Sequence, residues 1–219
     1  MGSIATPSTA SILASIVGLG LATFAVITMT SFIKISVILF LLRNALGIQQ
    51  TPPNMVLYGI ALLLSFYVMA PVAAHTYAAT MDQTRSYTTL SDYLELVGRA
   101  EGPIRAFMLR FTSPGEREFF TSATARVWGP EAGLEVTPED MLVVVPAFVL
   151  SELQRAFEAG FLLYLPFVTL DLVVTAVLLA MGMSSVSPTT ISVPLKLFLF
   201  VAISGWTRLM HGLVLGYAG

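Results

Sequence analysis

The sequence predicts an all-α, polytopic membrane protein of kinked helical hairpins with one polar helical insertion. Of its 219 residues, 56 % are hydrophobic and only 11 % are charged. An average soluble domain carries about 25 % charged residues, so a soluble fold of this composition would lack polar side chains for its surface. The charges are also concentrated, because 16 of the 24 lie within residues 82–140. This pattern, with a net charge of −2, excludes an ordinary soluble enzyme, a disordered protein and a nucleic-acid-binding protein.

The first predicted hairpin covers residues 1–81 and contains two apolar segments. The first segment, residues 10–42, is interrupted only by Lys34 and exceeds the roughly 20 residues that a spanning helix needs. No lysine or arginine precedes it, so we expect it to be retained rather than cleaved as a signal peptide. The second segment lies near residues 55–79, and Pro71 predicts a kink within it.

Residues 82–140 form the predicted polar insertion, with ten acidic and six basic side chains. Apolar residues recur at helical spacing over residues 90–97 and again over 104–111. We therefore expect two short amphipathic helices, separated by the helix-breaking pair Gly102-Pro103.

Two capping sequences mark the helix starts that follow. A capping box beginning at Ser113 predicts a third short helix, and the same pattern at Thr137 predicts the start of the next apolar helix. The acidic insertion contrasts with Arg43 in the short first loop. Because basic loops tend to stay in the cytoplasm, the insertion is expected on the opposite side of the membrane.

The second predicted hairpin covers residues 141–219. Residues 141–183 are long enough for a helical hairpin or for one long bent helix, with kinks expected at Pro146 and Pro166. A turn region rich in serine, threonine and proline separates this run from the last apolar helix, residues 195–217.

Besides Arg208 in the last apolar helix, six charged side chains interrupt the apolar segments. A charge at the bilayer centre costs about 2.5–3.5 kcal/mol, so six facing lipid would cost more than the stability of most folds, about 5–15 kcal/mol. Most must therefore face protein, water or each other. The six are Lys34, Glu152, Arg155, Glu158, Asp171 and Lys196.

Spacing indicates how some of these groups are used. Glu152, Arg155 and Glu158 are three residues apart, so they share a helical face and can form ion pairs; a proton or ion relay and an oligomer contact stay open. Asp171 is either a functional acid or a partner for the backbone that Pro166 frees. All six charged side chains are also candidates for ion pairs between subunits.

The sequence contains no recognisable catalytic, metal or cofactor motif. It has no cysteine, and His75 and His211 are far apart, so we expect no metal site and no cofactor. No phosphate-binding loop, zinc-protease motif or nucleophile elbow occurs. We therefore expect a protein that is not an enzyme. Gly212 and Gly216 form a Gly-x-x-x-Gly spacing, which permits close helix approach.

Several longer motifs are similar to one bacterial family. The motifs are TSFIKI at 30–35, LLRNALGIQQ at 41–50, PPNM at 52–55, VMAP at 68–71, PAF at 146–148, SEL at 151–153, RAFE at 155–158 with GF at 160–161, LAMGM at 179–183 and GWT at 205–207. With these motifs the chain resembles the SctR family, the core export-apparatus subunits of type III secretion systems, whose flagellar counterpart is FliP. It looks most like the virulence-associated branch.

The resemblance implies a ring of identical subunits, understood as a pentamer, that joins two smaller membrane subunits of the SctS and SctT type. This helical funnel would conduct unfolded secretion substrates across the bacterial inner membrane, next to other inner-membrane components of the secretion system. The resemblance also implies that the apolar segments pack within the assembly toward the periplasmic side. The insertion would then be periplasmic.

A pore gate is also implied by the resemblance. In the family, methionines after Ala-Met-Gly form a ring that seals the closed pore. The matching residues here are Met181, Met183, Ser184 and Ser185, with serines where further methionines are usual.

Two other functions stay open on the residues alone. One is a secondary transporter or ion channel that uses Asp171 and the Glu152, Arg155 and Glu158 group. The other is a scaffold that nucleates assembly and touches no substrate.

Overall fold

The computed structural model describes residues 9–48, 50–81, 90–129 and 136–218, and within these ranges the chain is α-helical without strands. Two helices are long and apolar enough to cross a membrane, or up to four if each of two bent helix pairs is one span. The prediction of an all-α polytopic membrane protein is therefore confirmed. The helices are α1 (Thr9–Met29), α2 (Phe32–Ala45), α3 (Asn54–Thr80), α4 (Leu90–Phe111), α5 (Pro114–Trp128), α6 (Met141–Ala180), α7 (Pro188–Ala202) and α8 (Gly205–Leu215).

The first apolar segment is divided in the structure, whereas its hydropathy predicts one uninterrupted run. Helices α1 and α2 meet at an angle of 67°. At the break, the Ser31 hydroxyl donates to Ser65 Oγ at 3.2 Å, and the Ser65 hydroxyl donates to Thr30 Oγ1 at 3.0 Å. These bonds connect the bend to α3, so tertiary contacts stabilise a break that leaves no trace in hydropathy.

Helix α4 is continuous, and the prediction of two short helices separated at Gly102-Pro103 is wrong. Val97 and Ile104 are seven residues apart, which is close to two helical turns, so the two apolar patterns share one face. Proline removes one backbone hydrogen bond, but the common face remains available for packing. Phe107 and Met108 on that face are buried where α4 contacts α3 and α6.

The two predicted capping sequences have different outcomes. Helix α5 begins at Pro114 with Ser113 as its N-cap residue, as expected, although the Ser113 side chain makes no capping hydrogen bond. The Ser113 backbone N–H donates to Ser151 Oγ at 2.9 Å, which attaches this helix start to α6. The N-cap of α6 is Asp140 rather than Thr137, and the Asp140 carboxylate accepts a bond from the Thr137 N–H at 2.6 Å.

Helix α6 is a single element of 40 residues that includes Pro146 and Pro166, so the long-helix alternative is the one observed. It packs along α2 and also contacts α4, α5 and α7. Gly160 lies where a Cβ atom would be only 3.2 Å from Leu41 Cβ. The missing side chain therefore lets α6 and α2 approach closely.

The last apolar run is also divided, which corrects the prediction of one helix over residues 195–217. Helices α7 and α8 meet at 63°, and Ser204 between them has a left-handed backbone with φ of 54°. Next to it, a Cβ atom on Gly205 would lie 2.3 Å from the ring of Phe200. The ring occupies the space that a side chain at residue 205 would need.

Helix α2 lies at the centre of the apolar core. Its buried residues contact α3, α6 and α8 in one cluster and the Phe167 and Phe200 rings in a second. A third cluster joins α4, the start of α6 and Tyr217. The buried α2 side chains are Phe32, Ile35, Ser36, Ile38, Leu39, Leu42 and Ala45.

We expect Gly205→Ala to lower the free energy of unfolding by about 1–3 kcal/mol, because the methyl group forces the buried Phe200 ring to move. Gly59→Ala is a matched control, since a Cβ atom there has nothing within 4 Å. It should stabilise α3 slightly, because alanine is the better helix former. Thermal unfolding of the purified full chain in detergent measures both changes, and equal behaviour of the two variants would contradict the expectation.

Candidate functional site

A buried ion network surrounds Glu152 in α6. Its side chain is 0 % exposed, and its Oε1 atom lies 3.9 Å from Lys34 Nζ, whose side chain is 13 % exposed. The same oxygen accepts a hydrogen bond from Arg155 NH1 at 3.3 Å. The hydroxyl of Tyr217 donates to Oε2. Both carboxylate oxygens therefore have partners, which is how a buried charge becomes tolerable.

Tyr217 attaches the end of the chain to this network. It follows α8, and its ring packs on Phe107 and Phe111 of α4 at centroid distances of 6.1 and 4.9 Å. Lys34 Nζ lies 4.2 Å from the centroid of the Tyr217 ring, a cation–π distance. Burial, and then the negative charge of Glu152, raise the pKa of the Tyr217 hydroxyl. The hydroxyl therefore stays protonated and acts as a donor.

Arg155 extends the network to the insertion. Its NH1 group donates to the backbone carbonyl of Phe111 at 2.7 Å, at the end of α4. The polar contacts around Glu152 thus join α2, α4, α6 and the segment after α8.

Glu158 does not join this group. It is exposed and accepts a hydrogen bond from Gln154 Nε2 at 3.0 Å. Of the three charges predicted to share a face, the structure brings Glu152 and Arg155 together and turns Glu158 outward.

Asp171 and Lys196 form a second ion pair. Lys196 Nζ lies 2.6 Å from Asp171 Oδ2 and donates to the backbone carbonyl of Ala45 at 3.1 Å. The lysine side chain is 6 % exposed, whereas that of Asp171 is 41 % exposed. The pair lies at a cavity of about 760 Å³ whose lining also includes Asn44 and Thr190. One partner is therefore buried, and the other faces a polar opening.

The gate residues implied by the resemblance lie in the turn between α6 and α7. Met181, Met183, Ser184 and Ser185 are all exposed, the two methionines by 66 % and 39 %. Gly182 has a positive φ of 73°, and the Met183 N–H donates to Leu178 O at 2.9 Å. The turn thus has a hydrogen-bonded backbone while its methionines project without cover from the chain.

No group of three or more histidine or acidic side chains in the described ranges lies close enough to hold a metal ion. His211 is exposed beside an apolar cavity.

Two partners of the buried charges were not predicted from the sequence, the Tyr217 hydroxyl and the Ala45 carbonyl. The sequence indicates that Lys34 and Lys196 need partners in an apolar environment, but it does not indicate which groups those partners are.

Comparisons with known proteins are consistent with the resemblance. The profile of the FliP family matches residues 15–213. The chain is 53 % identical over 211 residues to "Probable translocation protein y4yL" of Sinorhizobium fredii, covering 96 % of this chain and 95 % of that protein. It is 47 % identical over 190 residues to "Yop proteins translocation protein R" of Yersinia pestis, covering 87 % and 88 %. It is 41 % identical over 201 residues to "Surface presentation of antigens protein SpaP" of Salmonella typhimurium, covering 89 % and 90 %.

Proposed function

The chain belongs to the FliP family, and from this premise we propose that it is the pore-forming core subunit of a type III secretion export gate. Several copies, five by the family resemblance, form a ring in the bacterial inner membrane through which unfolded proteins pass. The ring joins two smaller membrane subunits of the SctS and SctT type and other inner-membrane secretion components. The names of the relatives, which refer to translocation, support this function.

The exposed turn at Met181 and Met183 is the observation that carries the proposal. Flexible thioether side chains adapt to irregular contacts, and here they are presented to the outside rather than packed in the core. In a ring, copies of this turn converge on the axis and narrow the pore. Ser184 and Ser185 beside them are smaller and polar, so the methionines supply the apolar part of the seal.

The apolar surface of the chain supports assembly. Large hydrophobic side chains of α1, α3 and α6 are exposed, among them Leu19, Leu63 and Leu172. Contiguous exposed apolar surface marks contact with a membrane or a protein. The ionic groups of the same helices are mostly paired within the chain, so this surface is available to lipid and to neighbouring subunits.

The internal ion pairs favour this function over the transporter alternative. Glu152 is buried with partners on both oxygens, and Asp171 is paired with Lys196. A proton or ion relay needs acidic groups that exchange with water, which the buried Glu152 does not do, whereas the partly exposed Asp171 is held by Lys196. These contacts fit structural roles for both acids, in a subunit that acts as a conduit rather than an enzyme.

We expect Met183→Ala to make the assembled, idle apparatus leak ions or small molecules, because the alanine side chain is too short to fill the ring centre. A separate variant, Met183→Leu, should keep the pore sealed, since leucine has an apolar side chain of similar volume to methionine. The measurement is the permeability of cells that contain the complete secretion apparatus. Met55→Ala, at an exposed methionine outside the turn, is the matched control.

Crosslinking from a cysteine at residue 183 is a second test of the same proposal. The chain has no cysteine of its own, so Met183→Cys introduces a single thiol. It should crosslink to a trapped secretion substrate and between neighbouring copies. Unchanged permeability in Met183→Ala together with no crosslink from residue 183 would remove this turn from the gate.

A further inference from the structure

Arg208 in α8 carries a charge that nothing in the described part of the chain neutralises. It is exposed and lines a cavity of about 590 Å³ whose other lining residues are apolar apart from Lys34. The ion pairs among the described residues involve other bases. The neighbouring Ile203 is an exposed hydrophobic residue. An arginine on such a surface needs an anion from outside its own chain.

Glu158 is the complementary case on α6. It is exposed between Phe157 and Phe161, which are exposed as well, and its carboxylate accepts a hydrogen bond from the neutral Gln154 amide. Among the described residues, no basic side chain forms an ion pair with this carboxylate on its apolar surface. It needs a cation for the same reason that Arg208 needs an anion.

The cavity at Arg208 also has the shape for a close neighbour. Gly212 lies on its wall, and a Cβ atom there would have nothing within 4 Å. Gly216 lines the same cavity. Small residues let another helix approach closely in a membrane. A helix seated here would place a side chain beside Arg208.

We propose that Arg208 of one copy forms an ion pair with Glu158 of the next copy, with α6 of that copy seated along this cavity. A second copy of the chain supplies the opposite charge, Glu158, on an apolar helix. One contact, repeated between successive copies, then pairs both Glu158 and Arg208. The contact uses different surfaces of the two copies, so it is head-to-tail, the kind that closes into rings. The inference rests on the proposed ring and supplies a contact that holds it together.

Two differently tagged copies test the pairing directly. One copy carries Glu158→Cys, the other carries Arg208→Cys, and both are co-expressed with the complete secretion apparatus. Since the native chain lacks cysteine, oxidation should give a crosslinked dimer that contains both tags. A copy with both substitutions should give a ladder of linked subunits. Glu118→Cys in the exposed surface of α5, paired with Arg208→Cys, should give neither.

Charge reversal supplies the second measurement. Glu158→Arg and Arg208→Glu should each lower the amount of assembled ring in native gels about tenfold, because each places like charges at the contact. The combined variant Glu158→Arg/Arg208→Glu should recover most of the loss. Glu118→Arg and Arg126→Glu, at exposed positions of α5, should leave the ring at its normal level.

Several results would overturn the pairing. These are a disulfide within one copy, a crosslink from residue 208 to a different export subunit, and the absence of any mixed dimer. A fourth is a combined charge-reversal variant that forms no more ring than the single variants. Each would leave the gate proposal standing if wild-type rings still form and Met183→Ala still leaks. Failure of the wild-type chain to form any ring would instead overturn the proposed function and the pairing with it.

Discussion

Replacing Glu152 by glutamine is expected to destabilise the folded chain by about 3–5 kcal/mol, the usual effect of breaking a buried ion pair from one side. The substitution keeps the shape of the side chain and removes only its charge. Lys34, with little exposure, then remains buried without an anion. Arg155 is 40 % exposed and loses less, because water can solvate it.

The other members of the network predict a graded series. Tyr217→Phe removes one hydrogen bond to a charged group, worth about 1.5–3 kcal/mol, and keeps the ring packing on Phe107 and Phe111. Lys34→Met leaves Glu152 with Arg155 and Tyr217 as partners, so its effect should be smaller than that of Glu152→Gln. The double variant Lys34→Met/Glu152→Gln should recover part of the stability, because no buried cation is then left unpaired.

Thermal unfolding of the full chain in detergent at constant pH gives these free energies. Glu139→Gln, at an exposed position before α6, is the control and should change stability by less than about 0.5 kcal/mol. A Glu152→Gln variant as stable as this control would show that the network contributes little. Additive effects of Lys34→Met and Glu152→Gln would show that the two charges do not interact.

The all-α character and the apolar helices long enough to cross a membrane could be predicted because composition is a local property. The breaks at Ser31 and Ser204 could not. Hydropathy continues through both, and the first bend is stabilised by Ser65 of another helix. The second is accompanied by close contact between Gly205 and the Phe200 ring. Contacts between distant residues thus decide where an apolar run bends.

In α4 the sequence predicts a break that the structure does not have. Gly102 and Pro103 are strong local helix breakers, yet the helix continues through them. The apolar residues before and after the pair share one face, and Phe107 and Met108 are buried by other helices. Packing of Phe107 and Met108 outweighs one lost backbone hydrogen bond and a loss of helix propensity of about 1 kcal/mol for Gly102 and about 3 kcal/mol for Pro103.

The charged residues of the site could be identified from the cost of burying charge, but most of their partners could not. A spacing of three residues indicates the contact between Glu152 and Arg155. Nothing in the spacing connects Lys34 with Glu152, because they lie on separate helices, or identifies Tyr217 beyond the last helix. The sequence indicates that a charge needs a partner, whereas the fold determines which partner it receives.

The second ion pair should respond unequally to loss of its two members. Asp171→Leu leaves the buried Lys196 ammonium with only the Ala45 carbonyl and should cost near the lower end of about 3–5 kcal/mol, because the carboxylate is partly solvated. Lys196→Met should cost less, since Asp171 faces a polar cavity where water can replace the lysine.

Removing both charges tests whether the pair itself stabilises the fold. Asp171→Leu/Lys196→Met should be more stable than Asp171→Leu alone, because no buried ammonium is then left without its anion. The measurement is again thermal unfolding of the full chain in detergent, with protein secretion as a second readout. Recovery of stability without recovery of secretion would assign the pair a role in secretion beyond folding. A larger loss from Lys196→Met than from Asp171→Leu would contradict the unequal burial on which the prediction depends.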